Sequence, residues 1–169
     1  REKGMVVKQS KVLLGFLEQR SMQIEERSRV GLDLKARDSR LLKAYNIFKS
    51  KVDEIMVRPL RESQMWDAFY MYSMKKCANF SVPGSGKTST VLGVYAYLCE
   101  IGEADKLVVV GPKNSFGSWK DEFIACFGNK LSLKCFDSHD SSLSSKAEKN
   151  RLLNYEYERF NLVLFNYEG

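Results

Sequence analysis

The chain has 169 residues, enough for one domain with a full core or for a smaller domain with an appendage. With 44% hydrophobic and 28% charged residues it has the composition of an ordinary globular protein, which excludes the disordered and fibrous classes. No apolar run approaches the length of a membrane span and no signal peptide opens the chain, so the expectation is an intracellular protein with no membrane partner.

The net charge of +6 is uneven: residues 1–60 carry all of the excess and residues 61–169 sum to zero. A basic segment beside a neutral remainder suits an acidic partner such as nucleic acid, and equally suits a solvated helical face. Cys77, Cys99, Cys126 and Cys135 show no C-x-x-C spacing and His139 is the only histidine. Buried free thiols are therefore expected in place of zinc or disulfides. Residue 1 is Arg, not Met, which points to a processed or excised fragment.

Residues 5–57 read as helical, with no proline before Pro59. One helix covers residues 12–24, and Gly31 with the polar residues around Asp38 and Ser39 marks a break. From Leu41 the apolar positions Leu41, Tyr45, Phe48, Val52 and Ile55 alternate steps of four and three, which makes a single stripe. The stripe is short for a lasting coiled coil, so it is expected to dock on a neighbouring helix or on the rest of the chain. Pro59 ends this region, and a further helix over residues 61–74 carries Gln64. A glutamine amide both donates and accepts and so has the groups to read an adenine edge, although a surface glutamine is the better account of that residue taken alone.

Ser81-Val82-Pro83-Gly84-Ser85-Gly86-Lys87-Thr88 follows a predicted short strand at residues 77–81 and precedes a helix over residues 88–101 that is uncharged up to Glu100. That is the setting of a phosphate-binding loop, in which backbone N–H groups and the positive end of the helix dipole face the phosphates. Gly84 and Gly86 permit the tight turn, Lys87 is placed to reach the β and γ phosphates, and the Thr88 hydroxyl to ligate Mg²⁺. With Pro83, Ser85 and Ser89 these residues form the expected ATP–Mg²⁺ site, and Lys87 is its catalytic candidate. The strict pattern opens with Gly where this chain has Ser81.

Beyond the loop, residues 107–110 form a continuous apolar run bounded by Lys106 and Gly111-Pro112, which suits a central parallel strand covered on both faces. A helix over residues 115–127, an alternating strand over 131–136, a serine-rich loop at 138–145, a helix over 146–157 and a buried strand at 162–165 follow. Alternating strands and helices with apolar strands predict an α/β protein with a parallel sheet flanked by helices.

The order of these motifs resembles the first RecA-like domain of superfamily 2 helicases and translocases, and within it the Swi/Snf-like branch. The resemblance rests on the loop, on Leu60 and Gln64, on Val108-Val109-Val110-Gly111-Pro112-Lys113 followed by Trp119-Lys120-Asp121-Glu122-Phe123, and on the strand ending Asn166-Tyr167-Glu168. It covers residues 58–169, implying a partial RecA-like ATP-binding domain of P-loop NTPase fold there and a basic helical accessory region at residues 1–57. It also implies that Gln64 reads adenine and that Pro112, Lys113, Asn114, Ser115 and Asn166 contact nucleic acid, duplex DNA by the branch. A strand-end turn beside a helix N-terminus, with Lys113 and small hydroxyls, suits a phosphate. The branch's Asp-Glu-x-Gly-Leu-Gly-Lys-Thr loop is absent, and Asn166 stands where the family has Thr.

Hydrolysis needs an acidic pair at the end of a buried strand, one acid toward the metal and one toward the attacking water. Asp121-Glu122 lies on a predicted helix, and Asp137 ends a strand that alternates like an edge, so neither is assigned that role. The resemblance places the acidic box and a second RecA-like domain, the expected partner of this one, after Gly169. The 169 residues alone are then expected to bind ATP with negligible turnover. A P-loop kinase and a nucleotide-responsive scaffold are the alternative readings.

Overall fold

Helix α1 (Lys11–Ala36) starts where the Ser10 hydroxyl accepts a hydrogen bond from the Leu13 N–H and stops where Arg37 turns left-handed at φ 52°. The computed structural model describes residues 10–140 and 145–167, so residues 141–144 of the serine-rich stretch and Glu168 of the last motif lie outside the described residues. Gly31 does not break the helix as the sequence reading expects, because one interior glycine costs only about 1 kcal/mol relative to alanine. The stop is made by Arg37 and Asp38, whose N–H groups return to the carbonyls of Leu34 and Asp33. The Arg40 side chain and amide bond the Asp38 carboxylate and hold its pKa down at about 2.

Contacts divide the chain into residues 1–41 and residues 42–169. Sequence reading puts the boundary at residue 57; the contacts put it earlier, because α2 (Leu42–Ile55) packs on α4 (Lys87–Glu100) and α3 (Glu62–Met74). The stripe read from the sequence is the face that docks. Tyr45, Phe48 and Val52 are buried, Tyr45 stacks on Trp66 at 3.9 Å, and Phe48 meets Tyr97 at 4.5 Å and Phe69 at 5.5 Å. Each fully buried side chain of this size contributes about 1.5–3 kcal/mol by removal from water, so the stripe anchors α2 to the second unit.

The second unit is α/β, with a three-stranded parallel sheet in the order β1 (Leu107–Gly111), β3 (Leu162–Asn166), β2 (Cys135–Asp137). The crossovers run through α5 (Phe116–Phe127) and α6 (Lys146–Tyr155), as parallel pairing requires. β3 is the central strand, and its Leu162, Val163 and Leu164 are fully buried. Two expectations fail here. β1 is a sheet edge, with Val108 and Val110 exposed, so its apolar run is not covered on both faces. Residues 77–81 form no strand: Asn79 Oδ1 takes the Ser81 N–H at 3.0 Å and also its hydroxyl, a local bond that competes with ladder pairing. β2 also starts later than predicted: of residues 131–136 only Cys135 and Phe136 pair with β3, and Asp137 extends the strand by one.

α5 is held against α4 by Phe123 and Phe127, both fully buried around Tyr95. Among the described residues no helix is long and apolar enough to cross a membrane. The four thiols are free, but only Cys126 is buried; Cys77 is exposed, which corrects the expectation of uniform burial. Desolvation raises the pKa of each thiol, that of Cys135 to about 11. Titration of the folded chain with a disulfide reagent at pH 8 is expected to show a single fast thiol, removed by Cys77→Ser. Fast reaction persisting in that variant would contradict the burial pattern.

Candidate functional site

The glycine loop is a turn at the head of α4. Gly84 and Gly86 take φ values of 79° and 83°, which an L side chain adopts only at a cost, and Gly86 is the residue that caps the helix. The loop is closed by Ser85 N–H donating to the Val82 carbonyl at 3.2 Å. Lys87, first residue of the helix, folds its ammonium back over the loop and donates to the carbonyls of Ser81 at 2.7 Å and Val82 at 3.1 Å. Ser81, the departure from the strict pattern, is accommodated because its hydroxyl donates to Asn79. The first N–H groups of α4 have no carbonyl one turn back within the helix, and the helix dipole adds positive potential at the same place. With Lys87 beside them, these groups can hold an anion.

Gln64 is brought to this loop. It is 8% exposed, its Oε1 accepts from the Arg61 N–H at 3.0 Å, and its Nε2 donates to the Ser85 carbonyl at 2.9 Å. These two bonds use one acceptor and one donor site of an amide that has two of each. Within the chain, Gln64 therefore fixes the loop to the start of α3. Gly86 must lack a side chain for this, since a Cβ there would sit 2.2 Å from Gln64 Nε2. Arg61 donates a second bond to the Ser85 carbonyl at 2.7 Å. The sequence reading missed Arg61, for which the available signal is its place one helical turn before Gln64.

The predicted residues around the loop divide. Pro83, Gly84, Ser85, Gly86, Lys87 and Thr88 form the turn and the first helical turn, with Thr88 half-buried. The Ser85 hydroxyl oxygen is buried and has no hydrogen-bond partner among the described residues. The Ser89 hydroxyl donates to Glu122 of α5, which also binds the Arg58 guanidinium. Arg58 reaches Cys126 Sγ at 3.2 Å as well. No local sequence signal reveals this cluster, because its members come from three separate segments.

The second predicted group lies at the carboxyl ends of the strands. Gly111 and Asn166 are register partners, so the turn Lys113–Ser115 that follows Pro112 starts beside Asn166. Lys113 and Asn114 are exposed, whereas Ser115 turns inward and donates to the Pro112 carbonyl at 2.8 Å. Asn166 Nδ2 lies 2.9 Å from His139 Nε2, and the Asn166 N–H donates to Ser138 Oγ at 3.1 Å. His139 and Ser138, which follow β2, were not assigned to this group from sequence; the sheet order brings them there.

Of the three acids set aside in the sequence, Glu122 and Asp137 are engaged by other side chains. Glu122 lies on α5 with Arg58 and Ser89, and Asp137 pairs with Lys120 while accepting from the His139 N–H at 2.8 Å. Among the described residues no cluster of three or more His, Cys, Asp or Glu side chains could hold a metal ion by itself. No protein-family model matches the chain, and no curated protein matches it.

Proposed function

We propose that the second unit is the ATP-binding part of an ATP-dependent DNA translocase or helicase of superfamily 2, Swi/Snf-like, with the P-loop NTPase fold of a RecA-like domain. The observation that carries this reading is the loop at the head of α4, where Gly84 and Gly86 turn left-handed and Lys87 lies folded across the turn. The residues fit a phosphate group on two counts. At Gly84 nothing lies within 4 Å of where a Cβ would stand, which leaves room beside the turn, and the buried Ser85 hydroxyl, without a partner among the described residues, has a hydrogen bond to give.

In this reading Lys87 and the first N–H groups of α4 would hold the phosphates, and the Thr88 hydroxyl would hold Mg²⁺. Gln64 would read the adenine with the amide sites left over from Arg61 and Ser85. Bound ATP and Mg²⁺ would supply the transferable phosphoryl group and the charge that steadies it. Lys113, Asn114, Ser115 and Asn166 would contact the backbone of duplex DNA, fixing position without reading sequence.

The test is ATP turnover by the full-length protein with and without duplex DNA. Duplex is expected to stimulate turnover at least about tenfold, and Lys87→Ala to lower the stimulated rate by about 10²–10³-fold, as for other lost transition-state donors. ATP binding with no response to nucleic acid would sink the translocase reading and favour the nucleotide-responsive scaffold or the kinase.

A further inference from the structure

Glu122 ties the helix that follows one candidate site to the first turn of the helix that carries the other. Its Oε1 accepts from the Ser89 hydroxyl, in the first turn of α4 directly after Lys87 and Thr88, and from Arg58 in the segment between α2 and α3. Arg58 itself lies 3.5 Å from Ser89 Oγ, and the Val57 N–H donates to the Cys126 carbonyl at 2.8 Å, so the same segment is fastened to α5 by its backbone. At its other end α5 begins with Phe116, immediately after the strand-end turn Lys113–Ser115. Glu122 lies six helical steps beyond Phe116, a span of about 9 Å along a rigid rod.

We propose that Glu122 is a positioning residue that couples the phosphate loop to the strand-end turn. The inference rests on the reading of these two places as the nucleotide and nucleic-acid sites. The first turn of α4 is the part of the chain that must settle against a bound phosphate, and Ser89 belongs to it. A shift of that turn draws on Glu122, and α5 moves as a body and carries Lys113–Ser115 with it. Apolar packing of Phe123 and Phe127 on Tyr95 keeps the helices together but is non-directional; the Ser89–Glu122 bond fixes their register at the end nearest the loop. Coupling of this kind is reciprocal, so duplex must change nucleotide affinity by the same factor as nucleotide changes duplex affinity.

The experiment measures binding of a fluorescent 20-base-pair duplex to the chain with and without Mg²⁺ and a non-hydrolysable ATP analogue. The unaltered chain is expected to show a ratio of affinities of about fivefold or more. Glu122→Ala is expected to bring that ratio to about one while each affinity alone changes less than about twofold. Glu122→Gln, whose amide oxygen still accepts from Ser89, is expected to keep it. A Glu122→Ala ratio equal to that of the unaltered chain overturns the inference and leaves the nucleotide reading standing, as does binding of both ligands without any coupling. Failure of the unaltered chain to bind the analogue overturns both. If Glu122→Ala does not fold, hydrogen exchange in the unaltered chain decides. The analogue must then protect amides at residues 116–120 as well as 87–92, and protection confined to 87–92 overturns the proposal.

Discussion

Gly86→Ala is expected to destabilise the second unit by about 2–4 kcal/mol and to weaken binding of an ATP analogue at least about tenfold. Two independent costs combine. A left-handed backbone at φ 83° penalises any L side chain by about 1–2 kcal/mol. The new Cβ would also stand 2.2 Å from Gln64 Nε2, so the buried amide must leave the Ser85 carbonyl. Gly84→Ala is the control. Its φ of 79° carries the same backbone penalty, but nothing lies within 4 Å of a Cβ there. Urea denaturation of the two variants separates the effects, and a Gly86→Ala loss no larger than that of Gly84→Ala would refute the tether between Gln64 and the loop.

Phe48→Ala should be the costliest single truncation in α2, at about 3–5 kcal/mol. Its ring is 1% exposed and lies among Phe69, Tyr72 and Tyr97, so removal leaves a cavity that rigid aromatic neighbours from α3 and α4 cannot fill. Ile47→Ala on the same helix removes a side chain 51% exposed and should cost less than about 1 kcal/mol. Equal, small losses at both positions in chemical denaturation would mean that α2 is not part of the second unit's core.

The stripe Tyr45, Phe48, Val52 was legible because a helix repeats its faces every 3.6 residues, so local order carries the burial pattern. The glycine loop was legible for a related reason. Left-handed turns select glycine, and a lysine directly after such a turn at a helix head is a local arrangement of residue types. Residues 77–81 misled because the segment that feeds a phosphate-binding loop is expected to be a strand, while Asn79 binds Ser81 locally and no neighbouring strand pairs with it among the described residues. β1 misled in a similar way: four apolar residues in a row do not say which strand takes the centre of the sheet.

By itself the sequence determined the helical character of most of the chain and the docking face of α2, the alternation that makes a parallel α/β sheet, and the glycine turn around Gly84 and Gly86. All of these depend on residues within a few turns of one another. Only the tertiary structure decided that β3 is central and β1 an edge, that Asn166 stands beside Gly111, and that Gln64 holds the Ser85 carbonyl. The joining of Arg58, Ser89 and Glu122 belongs with these. Such contacts join residues tens of positions apart, and they are set by which surfaces can be buried together, a property of the whole chain that no local window contains.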